Sequence, residues 1–202
     1  MKKIVFFFSL LLTFNVFSQS KFSSLSRPEK WWVLTHPFVA KKAMLASKQV
    51  LMVTDSISKL GKIGNDNNGG KLDAFKHSYW MVYLSFKIGT RKALKLGKAH
   101  EKGNFLQWKK KLLEDSILPD SVSSEMDSNN NEAGIRIYKS CKHVHFKAEL
   151  IDATLQELNE GKLYIIKKDE NKNYLTCDDQ IIQLHQWKAK WNIPKCLIAS
   201  NQ

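Results

Sequence analysis

One stretch of the sequence is apolar on almost every side of a helix. Over residues 72–88, Phe75 and Phe86 lie on one side of the predicted helix, while Trp80 and Leu84 lie on others. Such a helix must be surrounded by other elements, because it has no polar face to turn towards water. This stretch therefore predicts the central helix of a mainly helical protein.

Further helices are predicted around it from apolar residues that recur every three or four positions. One begins at Pro37, since proline suits the first helical position. Others are predicted over residues 90–113, 125–140 and 144–158, with a last helix over 181–191. Residues 162–167 and 174–177 predict a short hairpin around a turn-rich segment. The expected fold class is mainly α: a single compact bundle of about six helices with a short C-terminal β-hairpin.

The amino terminus has the pattern of a secretory signal peptide. Lys2 and Lys3 precede an apolar run over residues 4–17, and the small residue Ser18 stands before Gln19. The alternative is a membrane anchor, but this run is shorter than the roughly 20 apolar residues that span a bilayer. We expect residues 1–19 to be removed and residues 20–202 to form one helical domain. The mature protein is then exported, periplasmic or secreted, without a transmembrane segment.

The chain is strongly basic, with a formal net charge of +13 at pH 7. Loss of Lys2 and Lys3 lowers this value to +11, and the remaining lysines are spread along the chain. Such an excess favours an anionic partner or surface, although a solvated lysine-rich surface has the same composition. The aromatic residues do not alternate with a basic stripe, so the sequence lacks a nucleic-acid signature.

Three cysteines are present, at positions 141, 177 and 196. An odd number in an oxidising compartment leaves one unpaired, or none bridged. Cys177 with Cys196 is the pair that we expect if a disulfide forms.

Asp73 and His77 stand four residues apart and so share one face of the predicted central helix. A buried carboxylate is costly unless it is paired, and an imidazole is a natural partner. The pair can orient His77 as a general base or present ligands to a metal ion. The alternative is a satisfied hydrogen bond between Asp73 and His77 that fastens the helix to the preceding loop.

Two later segments carry more polar residues. His100 and Glu101 lie on the third predicted helix, where a single histidine on an apolar face is also typical of a core residue. Asp127, Asn130 and Asn131 lie in the first turns of the next helix, and asparagine is unfavourable there unless its amide has specific partners. These amides hold either a substrate oxygen or the backbone of a neighbouring element.

In these motifs the sequence resembles an uncharacterised family of bacterial helical domains, whose members read DAFRHxxW, AHE and MDxxNNxxG in that order. The matching residues, within a core of about 65–163, are Asp73-Ala74-Phe75-Lys76-His77 with Trp80, Ala99-His100-Glu101, and Met126-Asp127 with Asn130, Asn131 and Gly134. Members also look like C-terminal modules of large secreted, toxin-like proteins. The resemblance therefore implies an extracytoplasmic protein but no particular activity.

The sequence departs from this pattern at two positions. Lys76 stands where the family has arginine, and a lysine cannot bind two oxygens in a bidentate manner. Asn129 stands where the family has histidine, which removes a potential ligand or base.

Two functions are compatible with these residues. The first is a hydrolase of an ester or phosphoester, with His77 as general base oriented by Asp73. The remaining catalytic candidates are His100, Glu101 and Asp127, and the candidates for substrate binding are Lys76, Asn130 and Asn131. The cofactor is unknown; a divalent metal is compatible with His, Asp and Glu together, but no spacing is a standard zinc pattern. The second is a non-enzymatic binding or scaffold domain with a buried polar network.

Overall fold

The computed structural model describes residues 22–111, 118–141, 146–183, 185 and 190–202. The predicted signal peptide, residues 1–19, lies outside this part of the chain and stays a prediction. None of the described helices combines the length and apolar character that crossing a bilayer requires.

The fold is compact and mainly helical, as the sequence predicts, with a short antiparallel sheet near the C-terminus. The main elements of the described residues are α1 (Arg27–Thr35), α2 (Pro37–Lys59), α3 (Lys71–Ile88), α4 (Thr90–Lys109), α5 (Ser121–Ser140), α6 (Lys147–Asn159), β1 (Tyr164–Ile166) and β2 (Leu197–Ala199).

Helix α3 lies at the centre and packs against α2, α4, α5 and α6. Its side chains are buried on all sides, and those of Phe75, Tyr79 and Leu84 have no solvent exposure. The prediction of a central helix is thus confirmed, because a helix without a polar face is stable only when neighbours cover its whole circumference.

Helices α3 and α5 approach each other at the level of their backbones. A Cβ atom at Gly134 of α5 would overlap the carbonyl oxygen of Ser78 and lie 2.8 Å from the Cβ of Met81, both on α3. Only glycine permits this approach. Since Ser78 follows His77 directly, the crossing also brings the first turns of α5 towards the polar face of α3.

Helix α1 is an element that the periodicity of apolar residues does not predict. Ser26 and Glu29 cap its first turn reciprocally, each side chain binding the other residue's backbone N–H. The helix packs against α4 and, more weakly, against α2. This packing brings Glu29 to the side of α4 that carries His100.

The short sheet differs in one respect from the predicted hairpin. The chain turns at residues 169–173 as expected, and Lys168 forms an isolated bridge with Tyr174. However, β1 pairs over its whole length with β2, in the register Tyr164 with Ala199. A disulfide joins Cys177 to Cys196, the expected pair, and so fixes the residues just before β2.

The last predicted helix is described only in part. Ile181, its expected first residue, forms an isolated bridge with Leu175, and the N–H of Ile182 donates to the carbonyl of Tyr174. The start of this segment therefore continues the β-like pairing around the turn. Residues 184 and 186–189 lie outside the described residues.

Candidate functional site

A pocket with a volume of about 260 Å³ opens beside α3. Five of the eight site residues predicted from the sequence line it: Asp73, Lys76, His77, His100 and Asp127. Its other walls are mainly apolar and include Val50, Leu51, Trp80, Leu118 and Pro119. The remaining three predicted residues, Glu101, Asn130 and Asn131, do not line it. The motifs thus divide into a pocket group and an interior group.

Three side chains of the pocket group converge on one point. The Nε2 atom of His77 lies 3.5 Å from Oδ1 of Asp73 and 3.3 Å from Oδ1 of Asp127. These three residues offer donor atoms within 4.8 Å of one another, and all three are buried. Asp73 and His77 come from α3, whereas Asp127 comes from α5, so the close helix crossing is what brings them together.

The two oxygens of Asp73 have different partners. Oδ2 accepts a hydrogen bond from the backbone N–H of Gly69 at 2.7 Å, which fastens α3 to the preceding loop. Oδ1 lies 2.8 Å from the ammonium of Lys76. Oδ2 thus fastens α3 to the preceding loop through the N–H of Gly69 and not through the Asp73–His77 hydrogen bond of the structural alternative, while Oδ1 lies on the side of His77.

The imidazole of His77 is favoured in its neutral form. Burial lowers its pKa well below the usual value, and the positive charges of Lys76 and His100 act in the same direction. An interaction with the Asn131 side chain opposes this effect without reversing it. A neutral ring has a nitrogen lone pair, which a metal ligand or a general base requires.

His100 is held by a residue that the sequence analysis did not select. Its Nδ1 lies 3.0 Å from Oε1 of Glu29, and its ring packs edge-on against Trp80. Burial acts to raise the pKa of Glu29. The hydrogen bond and charge of His100, together with hydrogen bonds from Ser26, outweigh this effect, so the pKa is lowered overall. Glu29 is thus an ionised partner that orients His100.

The sequence contains one signal for Glu29, because Ser26-x-x-Glu29 is a capping-box pattern. That pattern predicts the start of a helix but says nothing about His100, which is 71 residues away along the chain.

The interior group binds other parts of the protein. Asn130 is completely buried; its Nδ2 donates to the carbonyl of Tyr164 at 2.9 Å, and its Oδ1 accepts from the N–H of the same residue at 2.9 Å. Asn130 therefore clamps β1 to α5. This arrangement favours the structural alternative for its amide over contact with substrate.

Glu101 belongs to the same interior group. Its carboxylate accepts hydrogen bonds from Asn104 at 3.4 Å and from Asn131 at 3.5 Å. The contact with Asn131 joins α4 to α5 through polar groups in the protein interior. Glu101 and Asn131 are thus placed to support the helices around the pocket.

The fold and the pocket define a mainly helical domain with a buried cluster of carboxylates and imidazole. The chain belongs to the family described as Domain of unknown function (DUF6973), whose model matches residues 30–162. The match begins near residue 30, earlier than the core of about 65–163 expected from the motifs, so it includes all of α2. No curated protein and no solved structure matches the chain.

The clamp between Asn130 and β1 makes a prediction about stability. Replacing Asn130 by Ala removes both hydrogen bonds and leaves the backbone groups of Tyr164 without these partners. We expect the free energy of unfolding to fall by about 2–4 kcal/mol, since each buried polar group left unpaired costs about 1–3 kcal/mol. Urea unfolding followed by circular dichroism measures this change.

The matched control is Asn129→Ala, the neighbouring asparagine on α5, which is only half-buried. This substitution should change the free energy of unfolding by no more than about 0.5 kcal/mol. Equal effects of the two substitutions would contradict the assigned role of Asn130.

Proposed function

We propose that the pocket is the active site of a metal-assisted hydrolase that cleaves an ester or phosphoester bond. The observation that carries this proposal is the convergence of Asp73, His77 and Asp127 at the wall of a pocket large enough for a small substrate group. No single helix supplies this set of donors, and the arrangement depends on the contact between α3 and α5.

The two distances from Nε2 of His77 to the carboxylates fit a small divalent cation. A zinc ion binds imidazole nitrogen and carboxylate oxygen at about 2.0–2.2 Å, which separates neighbouring donors by roughly 3.0–3.5 Å. The separations from Nε2 of His77 are 3.5 Å to Asp73 and 3.3 Å to Asp127. One imidazole and two carboxylates suit zinc or manganese better than calcium, which prefers six or more oxygens.

The orientation of His77 favours the role of ligand over that of general base. The nitrogen that faces both carboxylates is Nε2, while Nδ1 is buried on the other side of the ring. A base needs a nitrogen within reach of the substrate. In our proposal His77 therefore binds the cation through Nε2, and the lowered pKa favours the neutral ring, which has one unprotonated nitrogen to offer.

Lys76 favours a negatively charged substrate. Its ammonium lines the pocket and has little exposure, so its charge is screened less than that of a surface lysine. The formal charges of Asp73, Asp127 and Lys76 sum to −1, and a divalent cation would change this sum to +1. Of the two bond types, a phosphoester fits this charge better.

His100 and Glu29 supply the acid–base group. Glu29 binds Nδ1 of His100 and so orients its ring, which lines the pocket. A cation held by Asp73, His77 and Asp127 would leave a coordination position for water and would lower the pKa of that water to about 7. His100 then accepts a proton from the attacking water or donates one to the leaving group, and Glu29 is a positioning residue.

A second candidate function is a non-enzymatic binding or scaffold domain. The observation that favours it is the interior group, because Glu101, Asn130 and Asn131 bind other protein groups. The two functions differ in what His77 and His100 do. In a scaffold, substitution of these histidines lowers stability and affects no turnover.

Metal retention and turnover test the proposal together. After removal of metal with EDTA, addition of Zn²⁺ or Mn²⁺ at about 100 times the dissociation constant should raise Tm by about 5–10 °C. Asp127→Asn and His77→Gln should abolish this rise, and Asp152→Asn, an exposed carboxylate on α6, should retain it. The metal-loaded protein should hydrolyse bis(p-nitrophenyl) phosphate faster than p-nitrophenyl acetate.

His100→Gln separates catalysis from metal binding. This variant should still bind the metal, while kcat falls by about 100-fold, as expected for loss of an acid–base group. Failure of the wild-type protein to retain either ion would overturn the metal site. A stable, metal-loaded protein without phosphoesterase or esterase activity, whose histidine variants are destabilised, would instead favour the scaffold.

We also propose that the protein is exported. The pattern of residues 1–19 supports this, and so does the disulfide between Cys177 and Cys196, because such bonds persist in oxidising compartments. Intact-mass measurement of protein from the periplasm or medium should show the loss of residues 1–19. A full-length chain of 23.3 kDa confined to the cytosol would contradict export.

A further inference from the structure

Exposed apolar side chains are concentrated in one part of the molecule. Among the described residues, eleven large apolar side chains are exposed, and eight of them lie between Trp31 and Leu60. Single exposed apolar residues are normal on protein surfaces, but a concentration of them marks an interaction site. Most of this group belongs to α2.

The exposed residues of α2 follow a helical row. Phe38, Leu45 and Met52 are seven residues apart and so lie above one another on one side of the helix. All three are exposed, and Phe38 is 95% exposed. The opposite side of α2 packs into the core through residues such as Ala43 and Val50. The exposed row is therefore not needed to hold α2 in the fold.

Lysines lie beside this row. Lys41 and Lys48 are themselves seven residues apart, are exposed, and fall next to Phe38 and Leu45 around the helix. Helix α2 contains four lysines and one acidic residue, Asp55, which is paired with Lys59. We call Phe38, Lys41, Leu45, Lys48 and Met52 the apolar–basic face.

We propose that the apolar–basic face binds an anionic lipid surface. Apolar side chains flanked by lysines on one side of a helix are the arrangement that inserts into the headgroup region of a bilayer. The lysines attract anionic lipid, and this attraction extends over about one Debye length. The face is the convex side of one helix, and so offers apolar contact without a groove to hold a peptide.

Charge argues against a second copy of this chain as the partner. Two copies would bring the same lysines together, and each chain has a formal net charge of +13. Like charges that meet across an interface disfavour association. An anionic surface instead complements both the face and the whole molecule.

The face and the candidate active site lie on different sides of α2, because Val50, opposite to the exposed row, lines the pocket. Binding through this face does not depend on the proposed hydrolysis, so the two proposals fail independently.

Sedimentation with large unilamellar vesicles tests the proposal. We expect the mature chain, residues 20–202, to bind vesicles of phosphatidylcholine with 30% phosphatidylglycerol at least tenfold more tightly than vesicles of phosphatidylcholine alone. Phe38→Ser combined with Leu45→Ser should weaken binding at least tenfold. The matched control is Phe146→Ser, an exposed apolar residue outside α2, which should change binding less than twofold.

A second pair of variants tests the charges. Lys41→Glu with Lys48→Glu should weaken binding to anionic vesicles more than Lys139→Glu with Lys172→Glu, two exposed lysines elsewhere. All variants lack residues 1–19, the segment that we propose is removed on export, so the apolar amino-terminal run contributes to none of the measurements. Circular dichroism checks that each variant is folded.

Three results would overturn the proposal. Equal weakening by both lysine pairs would show attraction by net charge alone, and unchanged binding of the serine variant would place the contact outside α2. Absence of vesicle binding, together with a dimer in size-exclusion chromatography that the serine variant loses, would assign the face to a second copy of the chain.

Discussion

Helices α3 and α5 pack so closely that charged side chains between them are largely withdrawn from water. Gly134 permits the backbone contact, and Asp73, His77 and Asp127 are buried next to it. Buried charges are stable only when they are paired, hydrogen-bonded or bound to a metal. The loop N–H of Gly69 and the ammonium of Lys76 meet part of this requirement. A divalent cation would neutralise more of the buried negative charge and would also activate a water molecule for hydrolysis.

The polar residues of the motifs have two kinds of role. Those that line the pocket come from α3, α4 and α5 and are within reach of a substrate, as His100 is. Those of the interior group hold the surrounding elements in place, as Asn130 holds β1. The same sequence pattern therefore contains both the candidate chemistry and the framework that positions it, and substitutions in the two groups should have different consequences.

The sequence predicts features that depend on residues close to one another along the chain. It identifies α3 from its apolar residues and the shared face of Asp73 and His77 from their spacing, whereas the cysteine count left open whether Cys177 and Cys196 form a disulfide. It does not predict the pairing of β1 with β2 or the contact of Glu29 with His100, because these join residues far apart in the chain. It also cannot assign Asn130, since an asparagine that binds substrate and one that clamps a strand have the same local pattern.

Crystals grown with Zn²⁺ and measured above and below the zinc absorption edge test the proposed centre most directly. We expect one strong anomalous peak in the pocket, about 2.0–2.2 Å from Nε2 of His77 and from one oxygen each of Asp73 and Asp127. Peaks only at exposed side chains, with these three residues still in direct contact and no ion between them, would show that the cluster is a structural network and not a metal centre.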